Sequence, residues 1–313
     1  MQDLSVIKHA AEIIKQGGLV AFPTETVYGL GADAFNEEAC LKIYKAKGRP
    51  SNNPLIVHVS SIEQARELAV FTGDAELLCQ LWPGPLTMVL PKHVNSRLAK
   101  SVTAGLNTVA IRIPAHSVAT ELISQSTKPI AAPSANKSGR LSPTSSWHVK
   151  TNFSDEEVFI INLEESLKYG LESTIIDLST PTPTILRFGF ITPEFIEKIL
   201  DKKVEISTNS GHIKAPGMMY SHYAPKTHLR INVQSLQENE VGLNFGNSNL
   251  ISHGSLNLSN LGDLAEAAAN LFSYLHNLDA YAQQHSLKSI AVAKIPNESI
   301  GLAINDRLRR ASS

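Results

Sequence analysis

The chain has 313 residues, of which 42% are hydrophobic and 18% charged, and its formal net charge is −1. This composition is typical of a globular protein, and the length favours two domains over one. The near-neutral charge argues against a protein that binds nucleic acid over its whole surface, so only a local basic patch could do so.

The cysteines and the N-terminal segment give no sign of export. Cys40 and Cys79 show no CxxC spacing and lie in helix-like segments, which predicts buried free thiols in a reducing compartment. The segment MQDLSVIKHAAEIIKQGG has helical polarity instead of an apolar signal core, and no run approaches the length of a membrane span. We therefore expect a cytoplasmic protein without a membrane partner.

Apolar spacing and turn residues predict alternating helices and strands through residue 204. A helix from Ile7 to Ile14 stops before the first strand, and Asn36 caps the next helix, which Gly48 ends. Further helices are expected after Ser61, over 74–81 and over 193–200, and strands over 19–22, 55–59, 86–90, 108–113, 129–132, 158–161, 174–178 and 184–186. Because strands interleave with helices and outnumber them, the fold class is α/β with a twisted, mixed sheet.

Polar sequence rich in glycine and proline then marks a change of domain. We predict a main domain over 1–204, a linker over 205–228 and a small Rossmann-like α/β domain over 229–313. The last domain is expected to contain strands over 241–245 and 289–293, an amphipathic helix with an apolar stripe over 264–278, and a basic terminal helix over 304–310. Residues 215–225, APGMMYSHYAP, hold too many apolar groups for a free tether, so the linker is expected to act as a lid. Simple packing between domains is the alternative.

The segment 20–58 carries the most informative pattern. An apolar strand is followed by a hydroxyl-rich turn with Thr24 and Thr26, and then by a helix that ends in Lys45, Lys47 and Arg49. Clustered hydroxyls and fixed cations suit a polyanionic ligand, because the cations neutralise phosphate and the hydroxyls fix its position. A solvated helix end that only favours the macrodipole is the alternative for the three cations.

Other loops and strands could complete such a site. The loop 133–139 follows a strand and could hold phosphate or ribose oxygens, although a turn of this composition is also common without a ligand. Arg112 shares one strand face with Thr108 and needs a partner, either a structural carboxylate or a ligand carboxylate. His58 could be a satisfied core histidine, and Arg187 could form only a surface ion pair. The Walker, dinucleotide and zinc patterns are absent from the sequence.

Several ordered blocks strongly resemble the YrdC-like family of threonylcarbamoyl-AMP synthases. They are FPTETVYGLG at 22–31, KGRP at 47–50, NPL at 53–55, WPGPLTMVL at 82–90, TVAIRIP at 108–114, APSANKSGRLSPT at 132–144, GLESTIIDL at 170–178, ILRFG at 185–189 and PGMMYSHYAP at 216–225. The tail, with IGLAINDRLRRAS at 300–312, looks like the extra C-terminal domain of the long form of this family. The resemblance therefore covers most of the chain.

The resemblance implies that the protein makes threonylcarbamoyl-AMP and pyrophosphate from L-threonine, bicarbonate or CO2, and ATP. Other proteins then transfer the threonylcarbamoyl group to the adenosine beside the anticodon of certain tRNAs. The implied threonine contacts are Thr26, His58, Arg112, Ala132 and Ser173, and the implied ATP contacts are Arg49, Asn53, Thr108, Ser134, Asn136, Ser142, Arg187 and Tyr223. Magnesium is expected to arrive with ATP, without a dedicated protein site.

The chemistry of that reaction suggests roles for the cations. Lys47 and Arg49 are expected to face the charge that develops on the α-phosphate and pyrophosphate, which makes them the predicted catalytic residues. Arg112 is expected to bind the threonine carboxylate with both arms of its guanidinium. No protein general base is evident, and positioning of the reactants is expected to suffice.

The sequence departs from the family pattern in three places and leaves one rival of another class. Residues 163–169 are bulkier and more charged than usual, Met219 and Ser221 replace common cations, and Ala215 replaces a serine. The rival is a non-catalytic RNA-binding module of YrdC-like fold, whose basic face would contact RNA through cations such as Lys42. If the protein is the enzyme, the same cations could make a weaker contact with tRNA. A carbamoyl-transfer maturation enzyme would need cysteine-rich modules that two isolated cysteines cannot build.

Overall fold

A computed structural model describes residues 4–162, 167–207, 215–216 and 223–312. Most of the predicted lid and the departures at 163–166, 219 and 221 lie outside these residues. Within them, the predicted mixed α/β architecture is confirmed, with one large mixed sheet and a second, parallel sheet.

The large sheet contains ten strands among the described residues. They are β1 Val20–Phe22, β2 Gly29–Asp33, β3 Ile56–His58, β4 Leu86–Pro91, β5 Thr108–Arg112, β6 Ile130–Ala131, β7 Phe159–Ile160, β8 Thr174–Asp177, β9 Thr184–Arg187 and β10 Glu205–Ile206. Their order across the sheet is β10-β9-β8-β4-β5-β3-β6-β2-β1-β7. β3 pairs in parallel with β5, which places His58 directly beside Arg112. The two side chains therefore share one face of the sheet.

Short helices cover the sheet and bury its apolar faces. They are α1 Leu4–Lys15, α2 Glu37–Lys47, α3 Ile62–Leu68, α4 Gly73–Leu78, α5 Lys100–Thr103, α6 Ser117–Ser126, α7 Ser146–Lys150 and α8 Pro193–Leu200, and a 3-10 turn over Cys79–Leu81 continues α4. Asn36 caps α2 as predicted, since its side chain accepts a hydrogen bond from the backbone amide of Ala39. The thiols of Cys40 and Cys79 are buried and are not joined in a disulfide, as predicted.

Five elements of this domain were not predicted, and two of them, α5 and α7, are helices of only four and five residues. The strand β2, GLGAD, lacks the β-branched residues on which strand predictions depend, and it forms because it pairs with β1 and β6. The helix α6 has apolar residues at helical spacing, a signal that was available in the sequence. The strand β10 pairs with β9, so the predicted linker begins inside the large sheet.

The second sheet contains four parallel strands in the described chain, in the order β11-β14-β12-β13. Its elements are β11 His228–Val233, β12 Glu240–Asn244, β13 Leu256–Asn257, β14 Ser289–Ala293, α9 Leu264–Gln284 and α10 Gly301–Ala311. The predicted strand 289–293 and the long amphipathic helix are confirmed, and the strand predicted over 241–245 is found one residue earlier as β12. β11 and β13 were missed, and α10 begins three residues earlier than predicted. None of the described helices combines the length and apolar character needed to cross a bilayer.

The two domains contact each other through closely fitting groups. Gly170 has φ 64°, and a Cβ atom there would lie 2.3 Å from the carbonyl oxygen of Ala269 on α9. The rings of His148 and His276 stack with 3.8 Å between their centroids. Ala224, at the end of the predicted linker, donates its amide to Gly139 over 2.8 Å. These contacts hold the C-terminal domain against the loops that surround the site described next.

Candidate active site

A cavity opens on the sheet face that carries His58 and Arg112. It is bounded by the turn after β1, the residue after the C-cap of α2, the loop after β6, the start of β8, the end of β9 and two described residues of the predicted linker. Its lining residues are Thr24, Thr26, Val27, Tyr28, Gly29, Arg49, Ile56, His58, Arg112, Ala132, Pro133, Ser134, Glu172, Ser173, Arg187, Pro216 and Tyr223. Three arginines against one carboxylate make the lining suited to an anion.

The structure brings together most of the predicted site residues. Those that line the cavity are Arg49, Thr26, His58, Arg112, Ala132, Ser173, Ser134, Arg187 and Tyr223. Those that do not line it are Lys47, Asn53, Thr108, Asn136 and Ser142. Thr108 begins β5, four residues before Arg112, and is therefore about 13 Å away along the strand.

A chain of hydrogen bonds orients the hydroxyls of the turn after β1. Arg112 Nη1 donates to Thr26 Oγ1 over 2.9 Å, and the hydroxyls of Thr26 and Thr24 are 2.8 Å apart. Thr24 Oγ1 donates to the carbonyl of Val27 over 2.7 Å, so the proton between the two hydroxyls comes from Thr26. The hydroxyl oxygen of Thr26, which accepts a hydrogen bond from Arg112, therefore lies in the wall of the cavity.

Arg112 has a structural carboxylate as its partner. Its Nη2 atom lies 2.7 Å from Glu25 Oε1, and the two side chains are only 4% and 3% exposed. The contact lacks hydrogen-bond geometry at both atoms, so it is an ion pair held by charge. Arg112 Nε donates to the carbonyl of Gly84 over 3.2 Å. The binding of a threonine carboxylate by Arg112 stays a prediction, and its guanidinium already faces one carboxylate.

His58 is buried in the wall of the cavity. Its Nδ1 atom makes no hydrogen bond of good geometry among the described residues, but the backbone of Ile56 and of Ile130 lies close enough to oppose the fall of its pKa, so a satisfied core histidine remains an alternative. Burial, and then the charge of Arg112, lowers the pKa of His58 to about 3. The imidazole is therefore neutral near pH 7 and can offer a polar atom to a ligand in the cavity.

Lys47 supports the loop after β6. Its ammonium donates to the carbonyl of Ser134 over 2.6 Å and to the carbonyl of Asn136. Burial, and then repulsion from Arg49 and Lys137, holds the pKa of Lys47 well below its usual value. Because the ammonium is turned to these carbonyls, its geometry supports a positioning function, and its predicted catalytic function stays untested. Asn136 continues the support by donating its Nδ2 to the carbonyls of Lys137 and Arg140.

Arg49 reaches the cavity because α2 ends in a left-handed turn at Gly48, with φ 62°. Its Nε and Nη2 atoms donate to the carbonyl and the side-chain oxygen of Asn53 over 3.0 and 2.6 Å. Burial lowers the pKa of Arg49 to about 10, against the opposing influence of Tyr44. Asn53 therefore acts on the site through Arg49, which it holds in place.

Arg187 belongs to the cavity wall and not to the surface. Its Nε and Nη2 atoms donate to the carbonyl of Ser173 over 3.1 and 2.9 Å, and its Nη1 atom donates to the carbonyl of Pro216 over 3.4 Å. Because Arg187 is buried, the alternative of a surface ion pair for this residue is excluded. The hydroxyl of Ser173 also lies 2.7 Å from that of Thr87 on β4. Arg187 ties the start of β8 to the described part of the linker.

Two glutamates and one arginine of the site were missed at the sequence level. Glu25 and Glu172 lie within two of the sequence blocks that resemble the family. The sequence of such a block does not show which of its residues will be buried beside a cation. Glu172 lines the cavity, accepts a hydrogen bond from the hydroxyl of Ser142 and pairs with Arg307 of α10 over 3.0 Å. Arg307 lies 135 residues away from Glu172, a separation that no local pattern reveals.

Comparison with known proteins gives matches over the whole chain. The Sua5, YciO and YrdC family model, described as "Telomere recombination", matches residues 12–189, and the model described as "Threonylcarbamoyl-AMP synthase, C-terminal domain" matches residues 191–313. A Pyrococcus abyssi protein named threonylcarbamoyl-AMP synthase is 42% identical, covering 98% of this chain and 94% of its own. A Bacillus subtilis protein of the same name is 38% identical, covering 98% and 92%.

Solved structures show the same relationship. The crystal structure of P. abyssi Sua5 complexed with L-threonine superposes with a TM-score of 0.90 at 39% identity, covering 100% of this chain and 95% of that one. Escherichia coli YciO superposes with a TM-score of 0.52 at 19% identity over 60% of this chain and 91% of that one, which shows the fold of the main domain.

Proposed function

Because the chain belongs to the Sua5, YciO and YrdC family and is similar to threonylcarbamoyl-AMP synthases over nearly its whole length, we propose that it is an L-threonylcarbamoyladenylate synthase. The enzyme is a nucleotidyltransferase that joins L-threonine, bicarbonate or CO2, and ATP into threonylcarbamoyl-AMP and pyrophosphate. Its product serves the threonylcarbamoyladenosine modification of tRNA next to the anticodon. The similarity along both domains supports this enzyme over a non-catalytic RNA-binding module.

The observation that carries the proposal is the meeting of three buried arginines, the Thr26 hydroxyl and a buried histidine nitrogen in one cavity. The arginines suit the carboxylate and phosphates of the substrates, whereas the neutral His58 and the Thr26 hydroxyl suit the amine and hydroxyl of threonine. The P. abyssi relative was solved with L-threonine bound, which supports the same amino acid as a substrate here.

The proposed reaction proceeds in two steps. The uncharged amine of threonine attacks the carbon of CO2 and loses a proton to solvent, which leaves a carbamate. A carbamate oxygen then attacks the α-phosphorus of ATP, the bond to the β-phosphate oxygen breaks, and pyrophosphate leaves. Arg49 and Arg187 are placed to stabilise the charge on the phosphates, and the buried walls keep water from the carbamate.

Magnesium is proposed to enter with ATP. The carboxylate that lines the cavity, Glu172, is already engaged by Ser142 and Arg307, which suits a nucleotide-bound ion better than a protein cage. Transfer of the product to tRNA is proposed to require separate transferase proteins, and any contact of this chain with tRNA is proposed to be weak. A cytoplasmic location is proposed because the substrates and tRNA are found there.

An omission assay tests the function. Pyrophosphate release should require ATP, L-threonine and bicarbonate together, and removal of any one should reduce it to background. L-Alanine, which lacks the hydroxyl, should not support pyrophosphate release in place of L-threonine. Equal release without threonine, or tight RNA binding with no turnover, would overturn the proposal.

A further inference from the structure

Arg307 of the C-terminal domain reaches the edge of the cavity. It lies on α10 and is fully buried. Its Nε atom donates to Glu172 Oε2 over 3.0 Å, and its guanidinium carbon is 5.4 Å from the centroid of the Tyr223 ring. Glu172 and Tyr223 both line the cavity, whereas Arg307 itself stands behind them. One side chain of the second domain therefore contacts two walls of the site.

The position of Glu172 creates an electrostatic problem for an anionic ligand. Burial alone would raise the pKa of this carboxyl, but Arg307, Arg187 and the Ser142 hydroxyl together lower it, so Glu172 is charged near pH 7. A charged carboxylate in the wall would repel the phosphates of a nucleotide. Arg307 supplies the compensating charge, and it does so over a contact that its complete burial shields from salt.

Asp306 does not take up the whole charge of Arg307, because Asp306 is shared with a second arginine. The Nη1 atom of Arg307 lies 3.3 Å from Asp306 Oδ2, and Asp306 is shared with Arg310, which contacts it over 3.1 Å. The Nη2 atom of Arg307 has no hydrogen-bond partner among the described residues. Burying an unsatisfied guanidinium nitrogen is costly, so its presence here calls for a physical explanation.

We propose that Arg307 is a positioning residue for the ATP-binding half of the cavity, which acts by neutralising Glu172 and holding the Tyr223 ring. The C-terminal domain is thereby part of nucleotide recognition. This inference rests on the proposed function, because it takes the anionic ligand beside Glu172 to be the triphosphate of ATP. Ser142, which does not line the cavity, acts in the same way by fixing the second oxygen of Glu172.

The test combines four variants of the full chain, R307Q, E172Q, R307Q/E172Q and R307K, with calorimetric titration of ATP and steady-state kinetics. R307Q should weaken ATP binding and raise the KM for ATP by about 10-fold to 100-fold, with kcat and the affinity for L-threonine within about threefold of the wild type. The double variant R307Q/E172Q removes both charges and should bind ATP within about threefold of E172Q alone. R307K keeps the charge without the fork and should lie between R307Q and the wild type.

Arg230→Gln is the matched control. Arg230 is an arginine of the same domain that pairs with the buried carboxylate of Glu240 over 2.6 Å, and it does not line the cavity. This control should leave the affinity for ATP unchanged. Equal losses of ATP affinity in R230Q and R307Q would overturn the proposal, as would wild-type ATP affinity in R307Q.

The double variant also decides the outcome if R307Q does not fold. R307Q/E172Q contains no unpaired charge at this contact, and an affinity for ATP more than about 10-fold weaker than that of E172Q would contradict the inference. The calorimetric measurement separates this inference from the proposed function. If the wild type released no pyrophosphate, the function would fail, and the coupling of Arg307 to Glu172 in ATP binding would still be measured.

Discussion

Replacing Glu25 by glutamine should destabilise the main domain through Arg112. Glu25 forms the ion pair of Arg112 in the described part of the chain, at 2.7 Å, and the two side chains are 3% and 4% exposed. Breaking a buried pair by removing one charge costs about 3–5 kcal/mol, since the remaining charge stays buried and uncompensated. Glutamine keeps the shape of the side chain, so we expect the lower end, about 3 kcal/mol.

The measurement is urea unfolding followed by tryptophan fluorescence. Both tryptophans of the chain, Trp82 and Trp147, lie in the main domain, so the signal reports on the domain that contains the pair. Glu76→Gln is the control, because Glu76 pairs with Arg66 over 2.6 Å while the two side chains are 42% and 49% exposed. This exposed pair should contribute less than about 1 kcal/mol.

A ligand distinguishes the function of this pair from its stability. Since Arg112 lines the cavity, the carboxylate of added L-threonine should replace the lost charge and restore part of the stability of Glu25→Gln. L-Threoninamide, which lacks the carboxylate, should not. Wild-type stability of Glu25→Gln, or equal stabilisation by the amide, would refute the reasoning.

Two further predictions concern the contact between domains. Gly170→Ala should lower the thermal unfolding temperature, because the new Cβ would lie 2.3 Å from the carbonyl oxygen of Ala269. Gly73→Ala is the control and should not lower it, because a Cβ there meets nothing within 4 Å. Equal shifts of the unfolding temperature in the two variants would contradict this prediction. Burial, and then His276, lowers the pKa of His148 to about 3, so only the unfolded chain binds this proton between about pH 6.5 and 3. Stability should therefore fall as the pH decreases from 6.5, by up to about 2 kcal/mol at pH 5 from His148. Urea titrations of the wild type and His148→Gln at both pH values should show a smaller loss in the variant, and parallel losses would count against it.

The sequence predicted the elements whose patterns are local. The strand at Ser289–Ala293 and the helix after Thr192 were predicted within a residue, because apolar runs and capping residues define them without help from the rest of the chain. The strand β2 was missed because its glycines are poor strand formers, and contacts with Phe22 and Ile130 leave no room for a larger residue at Gly31.

The residues of the candidate site fall into the same two groups, those with a local pattern and those defined by contacts between distant segments. The loops with Arg49, Ser134 and Ser173 were found because each carries a recognisable block, and the sheet brings their ends together. Which cation faces the ligand was less predictable, since Lys47 and Arg112 are engaged by partners that come from other segments. Spacing along one segment cannot show a partner from another, so Glu25 and Arg307 became evident only in three dimensions.

The ion pair between Glu172 and Arg307 also sets an order in time. The two residues are separated by 135 positions, so a ribosome adding about 5–20 residues per second delivers Arg307 roughly 7–27 s after Glu172. Throughout that interval the nascent main domain holds a carboxylate without its counter-ion. The sheet can therefore assemble during synthesis, but the cavity acquires its final charge only when α10 docks, which makes maturation of the site a late step of biogenesis.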